Sequence, residues 1–264
     1  MALSSTAETE LRNMLRAFRA AHGPTAVPSG DGKALEAWLL VKIAMEARRT
    51  GHWTVELRRG DGSPLSAGQP FDLPGGPSQL RPSNPSGPCF VHLEHNVHGT
   101  RLEIHGSLQW KGRSDARHEC DVSVIPAEIA EQLRFNGGGY PHGLPVAAIE
   151  CKDKTGDGVL DETRQTLARM FDLALITAPQ GIGECRIFEA STNSRWGIRN
   201  TTYRGLFSTG TFAIARAGNF QPGARRLAKH YYIATLDSIY AASGTSVGAL
   251  MSRWRTTLAA ITTF

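Results

Sequence analysis

The run Val146-Ala147-Ala148-Ile149-Glu150-Cys151-Lys152 is the part of this chain that most limits its folding choices. An apolar segment that ends in charge reads as a strand whose body packs inward and whose end reaches the margin of a sheet. Side chains alternate across a strand, so Glu150 and Lys152 share one face while Ile149 and Cys151 share the other. A second segment, His118 to Ile125, carries β-branched residues, closes at Pro126 and holds one acid, Asp121, near its start. Alternation sets Cys120, Val122 and Val124 opposite Asp121. If these two strands are neighbours, Asp121, Glu150 and Lys152 converge.

The rest of the chain supplies helices and further strands around this pair. Residues 4–21 and roughly Gly32 to Arg49 read as amphipathic helices, the second with Leu35, Trp38, Leu39 and Ile43 at helical spacing and Glu36 beside that stripe. A short strand is expected at Trp53 to Leu57. Residues 60–88 are so rich in Gly, Pro and Ser that they read as a long loop or flexible insertion. Cys89 to His95 and Arg101 to Trp110 read as a hairpin turning at Asn96-Val97-His98-Gly99. A helix from about Ala127 to Leu133, a helix at 161–176 and a strand at Cys185 to Ala190 follow. The end of the chain reads as a strand at Thr211 to Arg216 and helices at about Pro222 to Ala242 and Ser246 to Ile261. Strand, helix, strand in this order implies the α/β class, with a central mixed β-sheet flanked by helices. Three parts are expected: an N-terminal helix in 1–30, a core in 31–192 carrying the 60–88 insertion, and a basic extension in 193–264.

Charge is distributed unevenly. From residue 195 onward there are nine Lys and Arg and one acid, Asp237, a net +8 within a chain whose total is +5, which leaves −3 for the remainder. A basic surface beside an acidic centre suits an enzyme that holds a polyanion near a metal ion; solvated helix faces would give the same count. Arg195, Arg199, Arg204, Arg225, Arg226 and Lys229 are the candidate phosphate contacts. No apolar run is long enough to cross a membrane and no signal-like stretch opens the chain, so a cytoplasmic location is expected. Four cysteines spaced without a CxxC pair exclude a zinc knuckle or dithiol motif and read as small buried apolar residues. His92, His95, His98 and His105 are spaced so that successive strand histidines point to opposite faces, which argues against a shared metal. No nucleophile elbow, dinucleotide fingerprint or P-loop is present.

Two carboxylates held close together repel unless a cation lies between them, so Asp121 and Glu150 form a natural hard-metal pair. Magnesium takes oxygen ligands and retains waters; the Cys151 carbonyl could serve as a third protein ligand. Lys152 can orient the attacking water or neutralise a phosphate. This pattern, Asp121 followed by Glu150-Cys151-Lys152, resembles the PD-(D/E)XK nuclease superfamily. The resemblance covers roughly residues 32–190 and implies a restriction-endonuclease-like core. It also implies a metal-assisting role for Glu36 and a substrate-groove role for Gln165, although Arg169 stands where some branches carry an aromatic residue. Asp31-Gly32-Lys33 matches the short motif too, but in a glycine turn. The implied activity is that of a Mg2+-dependent DNA endonuclease, with Mn2+ as substitute, acting on DNA rather than RNA and serving defence against foreign DNA, as a homo-oligomer or with a partner protein. A non-catalytic nucleic-acid-binding or assembly module that keeps the fold, or a nuclease subunit of a larger complex, would carry the same residues.

Overall fold

The computed structural model describes residues 33–66, 69–82, 84–152, 154, 156–174, 184–190, 196–202, 205, 207–239 and 245–261; for 184–190 and 196–202 only the backbone is described. The helix expected at 4–21 lies outside the described residues.

The first described element is α1 (Lys33–Arg49). Leu35, Leu39, Leu40 and Ile43 are fully buried along it, each contributing about 2 kcal/mol of apolar burial. Glu36 in its first turn and Arg48 and Arg49 in its last complement the helix dipole. Strands β1 (Trp53–Arg58), β2 (Phe90–His95), β3 (Arg101–Lys111), β4 (Arg117–Pro126) and β5 (Ala147–Lys152) then pair in sequence, each antiparallel to the last. The expected hairpin is β2–β3. Helices α2 (Ala127–Phe135) and α3 (Leu160–Leu173) flank β5 in the chain.

Beyond β5 the sheet changes character. β8 (Thr211–Arg216) runs parallel to β5, and the short β9 (Ala234–Leu236) runs parallel to β8, giving a seven-stranded mixed sheet in the order β1-β2-β3-β4-β5-β8-β9. The expected 185–190 strand exists as β6 (Glu184–Ala190), but it pairs with β7 (Trp196–Thr202) in a separate two-stranded sheet. The position beside β5 is filled by β8 instead. The 193–264 segment, expected as an extension, thus completes the central sheet.

Two apolar layers cover the sheet. On one, α1 and α5 (Thr245–Ile261) pack together, with Val247, Leu250, Met251, Trp254 and Leu258 at helical spacing and Trp254 Nε1 donating to the Ile43 carbonyl. The other holds α2, α3 and α4 (Pro222–His230). The α/β class is therefore present, with five described helices on the mixed sheet.

Two expectations need correction. The helix expected to continue to Ala242 stops at His230, because α4 buries only Ala224 and Ala228, whereas Ile233 and Leu236 bury fully once the chain turns into β9. Tyr232, at a φ of 60°, makes that turn. The 60–88 segment forms no named strand, yet it is fastened to the fold: Phe71 and Leu80 are buried, Ser78 N–H donates to the Ser107 carbonyl at 2.8 Å, and Gln109 N–H donates to the Ser78 carbonyl at 2.8 Å. Ser78 thereby pairs with the stretch of β3 that extends past β2, and Leu80 pairs with Gly139.

Candidate active site

The site lies where the antiparallel and parallel halves of the sheet meet. β4 and β5 pair from Val124↔Ala147 to Val122↔Ile149, and the ladder stops there. The next residue of β4 is Asp121, whose Oδ2 accepts the Cys151 N–H at 2.6 Å. A carboxylate thus stands in for the backbone carbonyl that would have continued the ladder, and it fills the fork between the strands.

A break in β3 shapes the same spot. Gly106↔Val122 and Leu108↔Cys120 are register pairs, while Ser107, between them, has a φ of 48°. Its carbonyl is turned to Ser78, and its Oγ is turned to α1. Regular alternation fails here: Val122 and Val124 pack in the layer of α1, whereas Cys120 packs in the layer of α3. The expectation that these three share one face holds for the valines together but not for Cys120, because side chains of both strands change faces at Ser107 while the register continues unbroken. A non-glycine residue held in the left-handed region costs of order 1 kcal/mol and is retained where the surroundings fix it.

Glu150 and Lys152 share a face of β5 as expected, with Lys152 Nζ 2.5 Å from Glu150 Oε1. Arg169 on α3 donates through Nη1 to both Glu150 oxygens at 3.0 Å. From the other layer α1 contributes Glu36, which accepts from Lys33 Nζ at 2.8 Å and from Ser107 Oγ at 2.9 Å; Lys33 also donates to Ser107 Oγ at 2.6 Å. Glu119 completes the group. Burial raises its pKa and the carboxylates of Glu36 and Glu150 add to that, opposed by Lys33 and a hydrogen bond with Ser107.

Asp121 carries the clearest electrostatic signature. Burial and then the charge of Glu150 push its carboxyl up to about 7, with Glu36 and Glu119 adding repulsion and the Cys151 N–H opposing. Four carboxylates, Glu36, Glu119, Asp121 and Glu150, therefore influence one another, and Lys33, Lys152 and Arg169 offset only part of their charge. Among the described residues, no three Asp, Glu, His or Cys side chains stand close enough to enclose a metal ion as they are placed. The donor chemistry still suits a hard divalent cation, since every side-chain donor is a carboxylate oxygen and burial together with the neighbouring carboxylates raises the pKa of Asp121. The Cys120 and Cys151 thiols are pushed well up by burial and are unsuited to nucleophilic chemistry. Cys151 serves here through its backbone N–H, and its side chain packs against the α1 layer.

Of the residues expected at the site, Asp121, Glu150, Lys152 and Glu36 are brought together. Gln165 is exposed on α3, one turn before Arg169, and Arg169 is the α3 residue that reaches the carboxylates. Lys33, Ser107, Glu119 and Arg169 were not anticipated. Lys33 and Glu36, three apart on one helix, could have been paired from spacing, and Glu119 stands two residues from Asp121 on one strand. Nothing local marked Ser107. Among the candidate phosphate contacts, Arg226 and Lys229 are exposed on α4, while Arg225 is tied to Asp237 at 2.6 Å and to the Phe220 carbonyl at 3.0 Å. Arg195 and Arg204 lie outside the described residues, as does the side chain of Arg199. Phe207 is buried against Phe171 and Phe212, so it packs and does not stack on a ligand. His92 and His105 are both buried beside Glu103, His92 as its cross-strand partner and His105 in a hydrogen bond at 2.8 Å.

No protein-family model matches this chain, and no curated protein or solved structure is detectably similar to it. Among the described residues no helix is long and apolar enough to cross a membrane.

Proposed function

We propose that this chain is a divalent-cation-dependent nuclease of the PD-(D/E)XK kind, hydrolysing phosphodiester bonds of DNA. The observation that carries this reading is the convergence of Asp121, Glu150 and Lys152 at the β4–β5 fork, with Glu36 approaching from α1. Asp121 and Glu150 would hold Mg2+ or Mn2+, with Glu36 assisting. When bound, such a cation activates a water and offsets charge on the phosphoryl transition state. Lys152 is set to orient that water or to neutralise the phosphate, since its Nζ is fixed beside Glu150 and a quarter of the side chain remains exposed. Arg226 and Lys229 on α4 offer sequence-independent contacts to a sugar-phosphate backbone. A role in defence against foreign DNA fits such an activity.

One observation favours a second reading, a nucleic-acid-binding module without catalysis: Glu150 already has two cationic partners, Lys152 and Arg169. Incubating supercoiled plasmid with Mg2+, with Mn2+ and with EDTA, for the wild type and Lys152→Ala, separates the two. The nuclease reading expects nicking or linearisation that needs the metal and is lost in the variant. Retention of plasmid on the protein without cleavage under any of these conditions would support the binding module.

A further inference from the structure

Arg169 is the residue of this site for which the recognised motif has no use, and its geometry gives it one. The Glu150 side chain is 9% exposed, and a buried carboxylate is found with a cationic partner. Lys152 reaches Oε1 only. Arg169 Nη1 reaches both oxygens at 3.0 Å, so it sits at the edge of the carboxylate where a cation bridging Oε1 and Oε2 would bind. A cation bound across both oxygens would compete with this guanidinium for that edge of Glu150.

The surroundings allow an exchange without moving the helix. Thr166, Met170 and Leu173 anchor α3 to the core beside Arg169, while the arginine side chain is itself 31% exposed. Release would turn a guanidinium toward the solvent side of the acidic cluster, where a phosphodiester must approach. Guanidinium and phosphate match in a bidentate geometry that an ammonium cannot reproduce.

We propose that Arg169 is a switch residue. It acts as a stand-in cation that holds Glu150 until a divalent metal displaces it, and it then engages the phosphate of the bound nucleic acid. This rests on the metal-dependent reading of the site above. Metal and substrate binding become coupled: the arginine that metal expels is the one the substrate takes up, so each ligand favours the other.

The test measures Mn2+ binding to the full-length protein by isothermal titration calorimetry, without nucleic acid, for the wild type, Arg169→Ala, Arg169→Lys and Glu150→Gln. A thermal melt of each establishes folding. Removing the competitor should tighten Mn2+ binding to Arg169→Ala by about tenfold, within the usual range of coupling between sites, with Arg169→Lys in between. Affinity for a short duplex in Ca2+ should move the opposite way, weakening in Arg169→Ala. A merely structural role would weaken both.

If Mn2+ binds the wild type and is lost in Glu150→Gln, but Arg169→Ala binds it no more tightly, the switch is overturned and the metal site stands. If no variant and no wild type binds Mn2+, both readings fall. Tighter metal binding with unchanged duplex affinity would overturn the phosphate half of the proposal.

Discussion

Asp121→Asn should stabilise this protein at neutral and alkaline pH in the absence of metal. Asp121 is part-buried beside Glu150, with Glu36 and Glu119 near, and its carboxyl is raised to about 7, against about 3.9 in an unfolded chain. Between those values the folded state binds a proton that the unfolded state does not, so stability falls as pH rises through that window. Below pH of roughly 4 both states are protonated and the wild type bears no penalty. Above pH 7 the whole shift counts, a limit of about 4 kcal/mol at about 1.4 kcal/mol per unit. Asp121 and Glu150 share part of this repulsion, so about 2 kcal/mol is the amount assigned to Asp121 alone.

Asparagine keeps the shape and an oxygen that can accept the Cys151 N–H, and it removes the charge. In a chain of this size, 2 kcal/mol corresponds to about 5 °C in melting temperature. The assay is thermal unfolding in EDTA at pH 5 and pH 8. The variant should melt about 2 °C above the wild type at pH 5 and about 5 °C above it at pH 8. A difference that stays flat with pH, or a variant less stable at pH 8, would refute the acid-cluster argument. Because this comparison is made between two proteins at each pH, the lowered pKa values of His92, His95 and His142 cancel.

Two other expectations concern the scaffold and the surface. Glu103 is fully enclosed and forks onto Arg134 at 2.5 and 2.9 Å while accepting from His105 Nε2 at 2.8 Å, so Glu103→Gln should lower stability by about 3 kcal/mol in urea unfolding, since it leaves the Arg134 guanidinium buried without its counter-ion. Reversing two exposed bases of α4, Arg226→Glu with Lys229→Glu, should weaken duplex binding and reduce its dependence on salt by about two ions, with the melting temperature unchanged.

Much of the site was legible because it depends on short-range rules. Strand alternation brought Glu150 and Lys152 to one face, and the apolar run before them required that strand to be central. Helical spacing exposed the buried stripe of α1 and set Glu36 at its flank. The basic tail read as an appendage because charge counts carry no information about pairing. Its strand β8 is buried throughout and lies against β5, a partner some sixty residues earlier that only the completed sheet identifies.

The sequence by itself determined the elements and the chemistry of the donors: which segments alternate, which carry an apolar stripe, and that the acids are oxygen donors with a lysine two residues on. Periodicity and side-chain type are local properties of the chain, so they survive without a fold. The tertiary structure decided three things that are not local. It set the register that ends the β4–β5 ladder at Asp121, and the turned Ser107 that ties α1 to the same point. It also brought Arg169 onto Glu150 in place of the glutamine expected from that helix. Each depends on how far two distant segments slide before their side chains interlock, and that offset is fixed by packing of the whole core.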